Sequence, residues 1–285
     1  MTVRTQSLFL SVILAACAPF AWSQRVPAVA MVTDVQGAVS IVRDGAASAP
    51  TLATELSAAT RIELKEGARL SLLDLSSGDE LVMTGPATAE VRTNGIETTP
   101  RDKLARKSTR IGPVRVREGG LTQAAIVLRA SRPIERLPLL NLANTATLET
   151  RPTFRWAAVD GVGPYRFELA DDRGTVLHEA RTDMTELTLP EGIALARERS
   201  YTWEVSARRP DGVRFVTFSD FSVAPAAVRE RAIALRPDAV APISAWTAYA
   251  LWLDGQGLAD EARTVWRRLA KERPDDPMVR KLAEP

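Results

Sequence analysis

The chain has little of the side-chain chemistry on which many protein sites depend, because its 285 residues include one histidine and one cysteine. That scarcity excludes a zinc cluster of cysteine and histidine ligands and an internal disulfide. A serine triad is left only if His178 serves it, and a cysteine–histidine pair only if Cys17 takes part. We therefore predict no catalytic residue, no metal site and no bound cofactor.

An excess of charge of one sign is also missing, since 37 basic residues face 35 acidic ones and give a net charge of +2. This balance gives no reason to expect a nucleic acid as a partner. The sequence contains no glycine-rich phosphate loop, no nucleophile elbow and no calcium-loop spacing. We expect a protein that is not an enzyme, and a hydrolase built from distant carboxylates is the least favoured alternative.

The apolar stretch at residues 8–16 has the length of a secretory signal core and is shorter than the about 20 residues of a membrane span. The small residues Ala21 and Ser23 predict cleavage before Gln24, which would remove a signal peptide of residues 1–23 and leave a periplasmic protein. Alternatively, Leu14-Ala15-Ala16-Cys17 resembles a bacterial lipobox, which implies a lipid on Cys17 and an outer-membrane lipoprotein. Both alternatives place the mature chain beyond the inner membrane.

Residues 29–130 are predicted to form an all-β module, because short segments alternate apolar and polar residues between glycine-containing turns. The order of these segments resembles a FecR-type periplasmic domain. The segments that carry the resemblance are residues 37–42 (GAVSIV), 59–64 (ATRIEL), 67–74 (GARLSLLD), 78–81 (GDEL) and 85–88 (GPAT). The resemblance implies this domain type and an envelope location. It does not imply the anti-sigma activity of the best-known FecR proteins, because only a signal peptide is expected before the module.

A basic segment lies near the end of this module. Arg106, Lys107 and Arg110 are candidates for contact with a partner, because clustered cations attract phosphate or lipopolysaccharide groups. The alternative is a solvated loop and an edge strand whose charges prevent pairing with another sheet. Residues 114–128 are predicted to add the last strands, and the closely spaced Pro133 and Pro138 predict a linker at residues 131–146.

Residues 147–224 are predicted to form a β-sandwich of about seven strands, spaced by turns that contain glycine. Their alternating aromatic residues make the segment similar to fibronectin type III and immunoglobulin-like domains. Trp156, Tyr165, Phe167 and Trp203 lie at alternating strand positions, which favours an inter-sheet core. Stacking of these rings on a sugar is the alternative.

Residues 226–285 are predicted to be helical, with helices at residues 245–253 and 259–271 and an earlier one at residues 227–237. Trp246, Ala250, Ala262 and Trp266 fall on the marker positions of a repeat of about 34 residues, so the segment resembles a tetratricopeptide repeat. A stable stack normally needs about three such repeats, so this segment is expected to pack on the sandwich or on a partner. Trp252 lies off the shared helical face, so it either is buried by packing on the sandwich or is a further candidate for contact with a partner.

Together these features predict a fold that is mainly β with a C-terminal α segment. The function they favour is noncatalytic binding or scaffolding in a bacterial cell envelope, through contacts with proteins or glycans. A sensor of envelope signals that reports to a membrane regulator is the main alternative. No contact with nucleic acid is expected, and the only contact with a membrane would be a lipid on Cys17.

Overall fold

The computed structural model describes residues 27–114 and 134–284. These residues form a first β module, a β-sandwich and four C-terminal helices, so the predicted fold class, mainly β with a C-terminal α segment, is confirmed. The proposed signal peptide, Cys17 and the strands predicted beyond Val114 lie outside the described residues. In the described part of the chain, no helix is long and apolar enough to cross a membrane.

The first module consists of two five-stranded antiparallel sheets that enclose a common core. Sheet I has the strand order β10-β7-β6-β1-β4, and sheet II has the order β3-β2-β5-β8-β9. The strands are β1 (Ala28–Gln36), β2 (Val39–Arg43), β3 (Ala46–Ser48), β4 (Glu55–Ser57), β5 (Arg61–Leu64), β6 (Arg69–Asp74), β7 (Glu80–Thr84), β8 (Ala87–Arg92), β9 (Gly95–Thr99) and β10 (Leu104–Lys107).

The burial of these strands follows from their sequences. Strand β8 alternates buried and exposed residues along its whole length, as expected for a strand with one face in the core and one in water. Strand β6 differs, because Leu72 points into the core between the sheets while its neighbour Leu73 packs against the helices. Sheet I is therefore covered on both faces. The basic strand β10 lies at the edge of sheet I, in agreement with the edge-strand alternative.

The β-sandwich is built from a larger sheet of order β11-β18-β17-β14-β15, to which β12 adds by pairing with β18, and from the pair β13–β16. Its strands are β11 (Ile134–Glu135), β12 (Thr145–Thr147), β13 (Thr153–Arg155), β14 (Tyr165–Asp171), β15 (Val176–Thr182), β16 (Glu186–Thr188), β17 (Ser200–Arg208) and β18 (Arg214–Val223). The described part of the predicted linker at residues 131–146, which begins at residue 134, belongs to the sandwich instead. Strands β11 and β12 both pair in parallel with β18, and Leu137 and Leu142 are buried in the sandwich core.

The centre of the sandwich is aromatic, as predicted. Phe167 and Trp203 have no exposed surface, and Trp156 is 1% and Tyr165 3% exposed. The Trp203 Nε1–H donates a hydrogen bond of 2.9 Å to the carbonyl oxygen of Leu142, which satisfies the polar atom of this buried ring. The inter-sheet core alternative is therefore correct for these four rings, because none of them is more than 3% exposed and no ring face is open to a sugar.

The C-terminal segment contains α1 (Ala226–Leu235), α2 (Ile243–Gly255), α3 (Ala259–Glu272) and α4 (Pro277–Ala283), which include the two helices predicted at residues 245–253 and 259–271. Helix α2 packs on β1 and β6 of sheet I, and α3 contacts β12 of the sandwich. The helices therefore pack on the first module as well as on the sandwich, whereas the sequence predicted the sandwich or a partner. The result is a layered arrangement of sheet II, sheet I and helices.

Candidate functional site

The main candidate site is a cleft of about 480 Å³ between sheet I and the helices α1 and α2, here called the module–helix cleft. One wall comes from β1, β6 and the segment that follows β10, and the other from α1, α2 and their connection. Its lining includes Thr33, Leu73, Lys107, Arg110, Arg236 and Ser244. Its volume lies in the range of about 300–1,000 Å³ that is usual for small-molecule sites.

Thr33 contributes to the cleft from a β-bulge in β1. Val32 pairs with Leu72 and Asp34 pairs with Ser71, so Thr33 is the extra residue on β1. Such bulges redirect a side chain and are frequent next to functional sites. Thr33 is 1% exposed, and among the described residues its hydroxyl has no hydrogen-bond partner. A buried hydroxyl without a partner within the protein is unusual, and this one belongs to a residue in the wall of the cleft.

The segment after β10 is held against the β6–β7 turn. The Thr109 hydroxyl donates to the Gly78 carbonyl oxygen, and a β-carbon added at Gly78 would lie 2.0 Å from the Gly112 carbonyl oxygen. From the helical side, Arg231 donates hydrogen bonds of 2.9 Å and 3.0 Å to the carbonyl oxygens of Arg110 and Ile111. These contacts fix the basic segment beside α1.

The opposite wall carries the N-terminus of α2. This helix of 13 residues begins after Pro242, whose side chain makes no capping hydrogen bond, and Ser244 and Ala245 of its first turn line the cleft. The first N–H groups of a helix lack partners within the helix, and the helix dipole places partial positive charge there. The wall is therefore suited to an anion.

The charged side chains of the cleft add to this effect. Lys107, Arg110 and Arg236 line it, and in the described part of the chain none of them forms an ion pair. Glu80, which faces Lys107 across β7 and β10, and Asp238 provide the negative charges. The cations outnumber the carboxylates, so the cleft can bind a group that carries little negative charge.

Arg106, the third basic candidate from the sequence, forms ion pairs within the first module. Its guanidinium lies 3.3 Å from Asp74 and 3.0 Å from Asp79. Burial favours a higher pKa for Asp74, but hydrogen bonds from Ser76 and Ser77, together with the charge of Arg106, outweigh it and lower the pKa below its usual value. Arg106 therefore fastens β10 to the β6–β7 turn, while Lys107 and Arg110 face the cleft.

Trp252 lies in the interior, so the alternative of a buried ring is correct and the alternative of a partner contact is wrong; the ring packs in the cluster formed with sheet I and not in the sandwich core. It is 3% exposed and stacks on Tyr249, with ring centroids 6.3 Å apart. Burial also raises the pKa of Tyr249. The hydroxyl of Tyr249 donates a hydrogen bond of 3.1 Å to the carbonyl oxygen of Ala232. The correction has a simple cause, because α2 lies between sheet I and α3 and has no free apolar side.

Of the residues considered for catalysis, the structure describes His178. His178 lies half-buried on β15, with its ring 6.2 Å from that of Phe167, and it makes no hydrogen bond with a side chain of the described residues. No group of three or more histidine, cysteine, aspartate or glutamate residues in residues 27–114 and 134–284 could hold a metal ion.

Sequence reasoning identified Lys107 and Arg110 but missed Thr33 and Arg236. Arg236 stands next to the proline that ends the first helix, a position without a functional pattern. The position of a bulge also leaves no mark in a strand-like sequence. Both residues become candidates only when sheet I and the helices are seen together.

No protein-family model and no curated protein matches the chain. Among solved structures, CopC from Methylosinus trichosporium OB3b is similar at 22% identity over 32% of this chain and 95% of that chain, with a TM-score of 0.26. Part of a 1.5-MDa bacterial ice-binding adhesin is similar at 11% identity over 70% of this chain and 54% of that one, with a TM-score of 0.23. The FN1–FN3 domains of chicken CNTN1 are similar at 9% identity over 70% and 55%, with a TM-score of 0.24. The chain spans about half the length of the last two, and at these scores the β-sandwich is assigned from its own strands.

Proposed function

We propose that this chain is a noncatalytic binding or scaffold protein of the bacterial cell envelope, which makes contacts with proteins or glycans. The predicted export signal supports the location, and the resemblances of its modules to FecR-type domains and to a tetratricopeptide repeat support the role. The observation that carries the proposal is the surface beside the module–helix cleft. There Ile233 is 60% and Val240 95% exposed, next in sequence to residues that line the cleft.

This surface has the mixed character of a contact site. Exposed apolar side chains supply area that a partner can bury, and the nearby Lys107 and Arg110 can orient an acidic partner. The apolar faces of α2 and α3 are already used inside the protein. Deletion of residues 226–285 would therefore expose sheet I, so point changes are the better test.

Site-specific photo-cross-linking in the source cells tests the proposal. The full chain carries benzoylphenylalanine at Ile233 or Val240, with Arg43 on β2 of the other sheet as the control position. We expect cross-linked products from the first two positions and none from the third, in the envelope fraction. An equal pattern at all three positions, or a chain that remains in the cytoplasm, would contradict the proposal.

The intact mass of the mature chain tests the location separately. Loss of residues 1–23 is expected for a soluble periplasmic protein, and an acylated Cys17 for an outer-membrane lipoprotein. A chain that keeps residues 1–23 without modification would contradict export. The noncatalytic role is tested with a broad hydrolase screen, where turnover that depends on an aspartate or glutamate would overturn it.

A sensor of envelope signals is a second candidate, favoured by the position of the cleft between two parts of the fold. A ligand there would contact sheet I and α2 together and could change how they pack. This function requires a regulator in the inner membrane. Cross-links from Ile233 or Val240 to an inner-membrane protein would favour the sensor, and cross-links only to outer-membrane components would contradict it.

A further inference from the structure

We propose that the module–helix cleft binds an amphipathic organic anion, that is, one phosphate or carboxylate group joined to a short apolar chain. This ligand is distinct from the protein or glycan partner proposed above and would occupy the interior of the cleft. Two independent features, one electrostatic and one a buried polar atom, converge on the same place.

The electrostatic feature combines side chains and backbone. Lys107 and Arg110 approach from the end of sheet I, and Arg236 approaches from the end of α1. The first turn of α2 has no side-chain cap, and Ser244 of this turn lines the same space, whereas the Ala245 N–H already donates 3.0 Å to the Pro242 carbonyl oxygen. Cations and a helix N-terminus that meet in one concavity are a common arrangement for binding phosphate or carboxylate groups.

The second feature is the Thr33 hydroxyl, which is buried at the bulge and has no partner in the described part of the chain. A threonine hydroxyl can rotate to donate to an anion. Burial of a polar group without a hydrogen bond is unfavourable. A ligand that accepts a hydrogen bond from the Thr33 hydroxyl would remove this cost.

The rest of the lining defines the other half of the ligand. Leu73, Leu235 and Ala248 give the cleft an apolar side that suits a short hydrocarbon chain. Glu80 and Asp238 also line the cleft and would repel a polyanion. A single anionic group with an apolar chain fits this combination better than a nucleic acid or an inorganic ion.

Isothermal titration calorimetry of the full mature chain at constant ionic strength tests the proposal. The probes are octyl phosphate, octanoate, inorganic phosphate and octanol. We expect octyl phosphate or octanoate to bind at least about tenfold more tightly than inorganic phosphate, and octanol not to bind measurably. The stronger of the two amphiphiles identifies the headgroup. Failure of both to bind at millimolar concentration would overturn the proposal.

Variants locate the site. Arg110→Gln and Arg236→Gln should each weaken binding of the stronger amphiphile about tenfold, and Thr33→Val about threefold. Arg43→Gln, an exposed cation on β2, is the matched control and should bind like the unaltered chain. Thr33→Val should also keep or raise Tm, because it removes a hydroxyl without a partner. Unchanged binding in all three cleft variants, an equal loss in the control, or a lowered Tm for Thr33→Val would each contradict the assignment.

Discussion

The two β modules of this chain achieve a closed core by different means. Residues 27–114 contain no aromatic residue, and aliphatic side chains fill the space between sheets I and II. The sandwich is built around rings instead, where the centroid of Phe154 lies 4.8 Å from that of Phe167 and 5.1 Å from that of Trp203. Because ring pairs favour particular geometries, the sandwich relies on a few large and closely positioned residues.

The modules also differ in how they join the helices. Met31 and Leu73 of sheet I belong to a hydrophobic cluster shared with α2 and α3, whereas the ring core of the sandwich includes no helical residue of the described chain. The sandwich joins the edge of the shared cluster through Ala146 and Leu148 and is also attached by hydrogen bonds, such as the 2.6 Å bond from the Leu142 N–H to Asp260 of α3. We infer that the first module and the helices gain stability together and that the sandwich is more independent.

The largest effect is expected from Trp203→Ala, which removes the ring at the centre of the sandwich. The substitution should lower the free energy of unfolding by about 3–5 kcal/mol, because it leaves a large cavity and an unpaired Leu142 carbonyl oxygen. Hydrogen exchange should show lost protection in β14, β17 and β18, with β5 and β8 unchanged. Phe218→Ala is the control, since this ring is 53% exposed and its loss should change stability by less than about 0.5 kcal/mol. Equal loss of protection in both modules would contradict their independence.

The second prediction uses two neighbouring leucines of β6. Leu73→Ala and Leu72→Ala should each destabilise the first module by about 3 kcal/mol, because both side chains are buried. Only Leu73 belongs to the cluster shared with the helices, so only its replacement should directly loosen α2. Hydrogen exchange of α2 at low denaturant measures the difference. The same exchange in both variants would show that sheet I and α2 are not coupled through Leu73.

The sequence predicted an element correctly where the spacing of its apolar residues agreed with the side of the element that is buried in the fold. The sandwich strands β14 and β17 were predicted because large apolar residues alternate along them, and α2 and α3 because prolines and glycines delimit them. Strands β11 and β12 were missed, since each has two or three residues and pairs with β18, about 80 residues away in the chain. Nothing local specifies such a pairing.

The packing of the helices on sheet I was missed for a related reason. A signal was present, because adjacent Leu72 and Leu73 indicate a strand that is buried on both faces. The interpretation of Trp252 assumed a helix with one apolar face, but residues 246–253 of α2 are all buried. For the candidate site, local charge identified Lys107 and Arg110. Thr33 and Arg236 depend on the tertiary arrangement.

A smaller effect is expected where α4 is attached to the first module. Asp276 caps α4 by accepting hydrogen bonds of 2.9 Å and 3.1 Å from the N–H groups of Met278 and Val279. It also accepts a hydrogen bond of 3.0 Å from the Leu52 N–H of the first module. Asp276→Ala should therefore cost about 1–2 kcal/mol in the unfolding transition of the first module. The neighbouring Asp275 is exposed, so Asp275→Ala is the matched control. If both variants lose the same stability, the contact with Leu52 does not contribute.

The smallest effect concerns Glu261, at the polar junction between the sandwich and α3. Its Oε1 accepts hydrogen bonds of 3.0 Å from the Leu148 N–H and 3.4 Å from the Thr147 hydroxyl. Its Oε2 is buried, with no hydrogen-bond partner among the described residues. Burial therefore raises the pKa of Glu261 above its ordinary value of 4.5, despite the hydrogen bonds to Oε1.

Because the folded chain binds this proton more tightly than the unfolded chain, the associated stability is fully present below pH 4.5 and is lost as pH rises through the folded pKa. The side chain of the Glu261→Gln variant cannot titrate. As pH increases toward neutrality, the free energy of unfolding of the unaltered chain should therefore fall relative to that of the variant. Urea unfolding of both proteins across this range measures the difference, in which the opposite contribution of Asp74 cancels. Glu230→Gln, on the exposed side of α1, controls for the loss of a charge. Parallel stability curves for Glu261→Gln and the unaltered chain would mean that water reaches Oε2, and that the sandwich meets the helices across a more open junction than sheet I does.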